Sequence, residues 1–350
     1  MNSRKNKPCD TLRTALVANP DHIRLAMLGM VDANGHPFSW SVIINGKYHA
    51  EPVVEGGYKV ITDYLDRQPP TALGIPGAEV THAWCEDPVF AKRVSASAAI
   101  SHIVSKPEDV IGHVDAIIIP TDIGAEHVER VRPFLEAGLP VFIDKPLTDN
   151  RAGLGQFERW HKDGCAFMST SCMRYSAEFE VLRTQLDQVG DVRAIVVTMA
   201  KSWERYGIHA LEAVYGLLPA GGYQWVVNTG SREANVVHLK HSTGVDVILI
   251  VADDLYGGMG HVHVTGTRDT IRASFSDSFT AFKRQLEAYI SYLRTGVSPV
   301  SWAQTREQMA ILIAAIESRE SGGSKVVIDS ILADIEAPGP RDVTHNSIDP

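Results

Sequence analysis

Apolar residues recur along the first half of the chain in short, bulky runs separated by helix-like stretches. The run IRLAMLG at 23–29 is rich in branched side chains and closes on a glycine, which predicts a strand. The following MVDANGHP at 30–37 predicts a sharp turn. Residues 46–78, with Gly-Gly at 56–57 and Pro-Pro at 69–70, predict a turn-rich connection. A second strand is expected at 79–85, then a helix at 88–98 with Pro88 in its first turn. The most telling run is VDAIIIPT at 114–121, apolar over nearly its whole length apart from Asp115. Such continuity suits a strand covered on both faces, as in a parallel sheet. A crossover helix is expected at 126–137, closed by Gly138. PVFIDKP at 140–146 predicts another strand, 149–162 a helix, and CAFMSTS at 165–171 a return to strand. This alternation predicts a doubly wound, Rossmann-like parallel sheet over about 20–172.

The pattern then changes. VRAIVVTMA, YQWVVNTG, EANVVHLKH, VDVILIVA, HVHVTGT and TIRASFS read as successive strands between 192 and 276, most of them separated by turn residues. Close spacing of this kind predicts a largely antiparallel sheet. Apolar positions three or four apart predict helices at 208–218, 280–295 and 304–319. The expected organisation is therefore a dinucleotide-binding domain at 1–172, an α+β substrate-binding and dimerisation domain at 173–333, and a loosely packed tail at 334–350, which contains Pro-Gly-Pro.

Composition narrows the classes of function. The 350 residues include 33 basic and 42 acidic side chains, a net charge of −9, which argues against a general nucleic-acid coat. Four cysteines at 9, 85, 165 and 172 are too sparse for a disulfide scaffold and predict reduced thiols in a cytoplasmic protein. No apolar stretch approaches 18 residues, so no membrane span is expected. The start, MNSRKNKPCD, lacks a following apolar run of signal-peptide type. His238 with His241, and His261 with His263, do not establish a convergent metal site, and no metal is expected. Walker A, serine-elbow and nucleic-acid-reading motifs are absent from the sequence.

The crevice of a doubly wound sheet is where backbone N–H groups hold a diphosphate. Against a GxGxxG phasing, Gly29 matches, Val31 and Asn34 occupy the next two glycine positions, and Gly35 falls one place late. Glu86, at the end of the second expected strand, is the candidate for an adenosine ribose. Its charge favours NAD over NADP, while nearby Lys92 and Arg93 are candidates to neutralise a 2′-phosphate. It lies 57 positions beyond Gly29, so 46–78 would be an insertion into the usual unit. Thr121, Asp122 and His127 follow the buried strand and are further cofactor candidates, with helix capping as the alternative. His36, in NGHPFSW, is a candidate ligand contact.

The segment EAGLPVFIDKPLTDN at 136–150, preceded by VDAIIIPT and by Glu-His at 126–127, resembles the glucose–fructose oxidoreductase and inositol dehydrogenase family of nicotinamide-dependent enzymes. The usual Glu-Lys-Pro of that family reads Asp144-Lys145-Pro146 here. The resemblance covers about 20–330 in element order. It implies that Lys145 lies near substrate and nicotinamide and that Pro146 shapes the adjoining turn. It also implies that GIHALE is the second-domain active-site helix, with His209 at its histidine. The family's aspartate four positions earlier is replaced by Arg205, and its later acid is present as Glu212.

On that reading His209 accepts the substrate proton, while Lys145 orients and stabilises the same oxygen, with the reverse assignment open. Arg174 and Tyr175 at the domain junction, and Trp203, Arg205 and Tyr206 before His209, are candidates to contact a polyhydroxy or carboxylated substrate. The expected function is hydride transfer between NAD(P) and a sugar, cyclitol or related polyhydroxy compound, in a homo-oligomer. The alternatives are an NAD(H)-retaining lyase or epimerase, and a non-catalytic sugar-binding or regulatory protein.

Overall fold

The computed structural model describes residues 14–256 and 259–336. Cys9 and residues 337–350 of the expected tail lie outside them. Six strands form the first sheet: β1 (Ile23–Leu28), β2 (Ala78–Trp84), β3 (His102–Ile103), β4 (Ala116–Ile119), β5 (Val141–Ile143) and β6 (Phe167–Met168). Their order is β3-β2-β1-β4-β5-β6, and every pairing is parallel. All four residues of β4 are buried, as its unbroken apolar run requires. Each of its three isoleucines removed from water contributes roughly 1.5–3 kcal/mol before entropy is counted. The direction of winding reverses between β1 and β4, so their carboxyl ends border a crevice.

The helices of this half are α1 (His36–Asn45), α2 (Ala50–Glu55), α3 (Lys59–Leu65), α4 (Pro88–Ala98), α5 (His127–Glu136) and α6 (Arg151–Lys162). Asp87 accepts the Val89 N–H at the start of α4, and Asn150 accepts that of Gly153 in α6. The sequence pattern did not mark α1, and the structure shows why. Pro37 through Ile44 are all buried, so the helix has no polar stripe and no amphipathic period. The turn-rich reading of 46–78 gives way to the short helices α2 and α3 with tight links between them.

The chain then builds α7 (Ala177–Thr184), β7 (Val192–Ala200), α8 (Trp203–Tyr215), β8 (Tyr223–Asn228), β9 (Ala234–His241), β10 (Asp246–Ala252), β11 (His261–Gly266) and β12 (Thr270–Ser274). It finishes with α9 (Ser278–Thr295), α10 (Trp302–Glu320), β13 (Val326–Val327) and α11 (Ile328–Glu336). The seven strands are ordered β12-β11-β7-β10-β9-β8-β13. All neighbours are antiparallel except β7 and β10, which run parallel because α8 and a hairpin intervene. Helices α8 and α10 cover one face. The other face keeps Val196, Ile248 and Ile250 half-buried and Val236 exposed. Residues 334–336, read as the start of a loose tail, complete α11.

Helix α9 returns to the first sheet. Tyr289 is fully buried, and its hydroxyl lies 3.0 and 3.1 Å from the carbonyl oxygens of Ile117 and Pro140. No helix among the described residues is long and apolar enough to cross a membrane.

Candidate active site

The crevice has two ends. At one, β1 closes on Gly29, whose φ of +108° is a left-handed conformation that a side chain strains. A Cβ there would meet Thr121 Cγ2 at 2.9 Å, so only glycine lets the backbone run this close to the end of β4. Glu86, just past β2, accepts the Met30 N–H at 2.7 Å through Oε2. Its Oε1 receives Arg130 Nη1 at 2.5 Å, and Arg130 in turn pairs with Glu126 at 2.7 Å. Glu86 thus stands where the sequence placed it, at the first turn, despite the long insertion. Val31 lines a cavity of about 190 Å³ with Met30, Asp32, Tyr58, Glu86, Asp87 and Phe90. On the other side, Leu28, Trp84, Ile119, Arg130 and Phe134 border one of about 270 Å³.

At the other end, Asp144 and Lys145 follow β5. Asp144 is fully buried and receives three donors: the Lys145 N–H at 2.7 Å, Asn34 Nδ2 at 3.1 Å and His36 Nδ1 at 2.7 Å. Lys145 is 1% exposed; its Nζ lies 3.1 Å from Asp122 Oδ2 and 4.0 Å from Asp144 Oδ2. Burial pulls this ammonium toward neutrality, but Asp144 and Asp122 outweigh it and hold the group above its ordinary value. For Asp122 burial works in the opposite sense, and Lys145 with Arg205 prevails, keeping the carboxylate well below its ordinary range. Arg205 Nη2 reaches Asp122 Oδ1 at 2.6 Å and the Asp32 carbonyl at 3.2 Å, an ion pair between α8 and the β4 end.

His209, from α8, meets the same cluster through Tyr206. Lys145 Nζ lies 4.8 Å from the Tyr206 ring centre, and the His209 ring centre is likewise 4.8 Å from it. His209 is 3% exposed, with Nδ1 2.6 Å from Ser171 Oγ. Burial first, and then the Lys145 charge, push its imidazole well below the ordinary histidine range, so it is neutral. The two residues expected to share chemistry are therefore brought to one aromatic ring. Side chains cover that centre: Arg205 over Asp122, and Asn34 and His36 over Asp144.

Other expectations fall elsewhere. Trp203 is fully buried and donates to the Leu312 carbonyl at 3.1 Å; it is core, because α8 turns that face toward α10. Arg174 pairs with buried Glu212 at 2.6 Å and faces Gln304 and Gln308, so it ties α8 to α10. Burial raises the Tyr175 hydroxyl to about 12. His127 is buried between the carbonyls of Thr121, at 2.8 Å, and Pro146, at 2.9 Å, and braces the turn after β5. The Lys145–Pro146 bond there is cis. Gly35, at the start of α1, packs where a Cβ would meet Ile61 Cδ1 at 2.5 Å. Arg130 and Asp144 were not singled out from sequence. The i,i+4 spacing of Glu126 and Arg130 was the available signal for the first. Among the described residues, no group of three or more His, Cys, Asp or Glu side chains is placed to hold a metal.

Residues 46–163, about a third of the chain, match the model of an oxidoreductase family with an NAD-binding Rossmann fold, which bears out the resemblance read from Asp144-Lys145-Pro146 over that stretch. No curated protein matches. Many solved structures share the fold. A probable dehydrogenase from Thermotoga maritima has a TM-score of 0.67 at 15% identity over 88% of this chain and 100% of its own. Myo-inositol 2-dehydrogenase from Lactobacillus plantarum gives 0.68 at 17%, over 87% and 99%. An Agrobacterium radiobacter oxidoreductase, solved with NAD+, L-tartaric acid and magnesium, gives 0.67 at 15%, over 89% and 99%.

Proposed function

We propose that this chain is a divergent member of the NAD-binding oxidoreductase family and an NAD(P)-dependent enzyme that interconverts a hydroxyl and a carbonyl on a sugar, cyclitol or related polyhydroxy compound. One observation carries the reading: Lys145, held between Asp122 and Asp144 at the carboxyl end of β5 in a β3-β2-β1-β4-β5-β6 sheet, shares the Tyr206 ring with His209 of the second half. The crevice residues fit a dinucleotide. Gly29 leaves room for close approach, and Glu86 is the group to receive ribose hydroxyls. Thr121, Asp122 and Lys145 border the end where a nicotinamide would lie. Bound there, it would supply hydride acceptance and return.

The protein's own groups orient and polarise the substrate. The Lys145 ammonium donates to the reacting oxygen and stabilises negative charge as it develops, an effect that low dielectric strengthens. Neutral His209 offers a second hydrogen bond to the same oxygen. Tyr206 and Arg205 form the wall above, and Arg205 must leave Asp122 for a substrate to enter. Glu86 also supports NAD over NADP, because a 2′-phosphate would meet its charge. Arg93 is drawn away toward Glu55 at 3.8 Å. The half-buried apolar face formed by Val196, Ile248 and Ile250 supports a homo-oligomer. Cys85, Cys165 and Cys172 are unpaired, which suits a reducing cytoplasm.

The test is nicotinamide absorbance on incubation with NAD+ or NADP+ and a panel of polyols and cyclitols. Turnover with at least one substrate is expected. Absence of both turnover and cofactor binding would overturn the reading.

A further inference from the structure

Dehydrogenation of a hydroxyl releases a proton, and the two groups first considered for it are poorly suited to take it. Lys145 is held as an ammonium by two carboxylates, and His209 is desolvated beside that ammonium. A third group has the arrangement of an acceptor. His36 begins α1, and its Nδ1 lies 2.7 Å from Asp144 Oδ2. A carboxylate only accepts hydrogen bonds, so Nδ1 carries the hydrogen and the neutral ring keeps Nε2 bare. Nε2 has no hydrogen-bond partner among the described residues. Trp40 stacks on the ring at 4.4 Å and 14°, and Phe282 meets it edge-on at 5.1 Å, so its plane is fixed. Its side chain is 17% exposed, whereas those of Lys145, Asp122 and Asp144 are 1–2% exposed. The charged and titratable groups facing it are Asp144 and Lys145 after β5, Asp122 after β4 and His209 on α8.

We propose that His36, oriented by Asp144, is the proton acceptor of the reaction. The inference rests on the nicotinamide-dependent reading above. The hydroxyl proton passes to His36 Nε2 as the O–H bond breaks, and the imidazolium formed is balanced by Asp144 through Nδ1–H. The carbinol hydrogen leaves with its electron pair to the oxidised cofactor, giving a carbonyl. His36, whose side chain keeps some exposure to water, then returns its proton to solvent. Asp144 is a positioning residue, since it acts through the imidazole.

Two measurements test this on the full chain. Nitrogen NMR of protein labelled at histidine is expected to show neutral His36 as the Nδ1–H tautomer, and Asp144→Asn to lose that preference. An Nε2–H tautomer in the unmodified protein would overturn the proposal. In turnover, His36→Ala is expected to lower kcat by roughly 10²–10⁴-fold with little change in KM. It should also abolish the acid limb of the kcat–pH profile and recover partly with added imidazole. His209→Gln is expected to keep that limb. If the unmodified enzyme turns over and His36→Ala retains its kcat and acid limb, the acceptor role fails and the nicotinamide reading stands. If the unmodified enzyme oxidises nothing and binds no cofactor, both fall together.

Discussion

The two ends of the crevice solve opposite electrostatic problems. At the Gly29 end, Glu86, Arg130 and Glu126 form a chain of charges open to water; Glu86 keeps 39% of its side-chain exposure. Pairs of this kind contribute little to stability, and water and salt screen them. At the Lys145 end, Lys145, Asp122 and Asp144 are buried almost completely, and each is satisfied by at least two partners. Removing a partner from such a cluster exposes the remaining charge to an apolar surrounding. On the proposed function, the open end would exchange partners for a ligand, and the buried end would hold a fixed field around the reacting oxygen.

The contrast is sharpest in variants. Lys145→Ala is expected to lower kcat by about 10²–10³-fold, the scale for losing one preorganised donor to developing negative charge. Far-ultraviolet dichroism and cofactor fluorescence should show a folded protein that still binds nucleotide. A variant with near-normal kcat would place the fixed field elsewhere.

At the open end, Glu86→Gln is expected to raise KM for NAD+ by roughly tenfold, about the 1.4 kcal/mol of one charge-assisted hydrogen bond. The kcat should change little, and the NAD+ to NADP+ preference should narrow. Equal losses for both cofactors would mean that this carboxylate does not face the ribose.

The smallest effect is expected far from both ends. Glu178 receives Ser276 and Asp277 N–H groups at 2.8 and 2.9 Å, and Ser176 Oγ at 2.7 Å. Burial opposes its ionisation, but the hydrogen bonds from Ser276 and Ser176 prevail and bring its carboxyl down to about 2. A carboxyl lowered on folding stabilises above its unfolded value, about 4.3, and that stability is lost as pH falls toward 2. Glu178→Gln should flatten the decline of the melting midpoint between pH 6 and 3 by roughly a few degrees, with activity unchanged. His209, lowered on folding, adds a decline of the same sign that begins near pH 6.5, about the free histidine value. The variant should leave that part intact.

Much of the scaffold was legible because strands buried on both faces write themselves as unbroken apolar runs. Ile117, Ile118 and Ile119 marked β4, and Val141 to Ile143 marked β5. The same total burial concealed α1, whose Trp40, Val42 and Ile43 show no period because no side of the helix meets water. Of the candidate site, Lys145 and His209 could be singled out from short motifs, and Glu86 from its place after a strand. The His36–Asp144 bond could not, since 108 residues separate its partners and only the β1–β5 arrangement joins them. For Trp203 and Arg174 the sequence left a cleft contact and a packing role open, and spacing could not choose between them. The packing of α8 against α10 turns Trp203 into the core, and Arg174, in the turn at 172–175, pairs with Glu212 beside Gln304 and Gln308.

Tyr289 gives the architecture a temporal side. Its hydroxyl sits between two carbonyls at neighbouring strands of the parallel sheet, and Leu16 donates its N–H to Leu293 on the same helix at 2.8 Å. The parallel-sheet half is thus sealed by a segment synthesised more than a hundred residues after its last strand. A ribosome must deliver most of the polypeptide before the first sheet acquires its final wall.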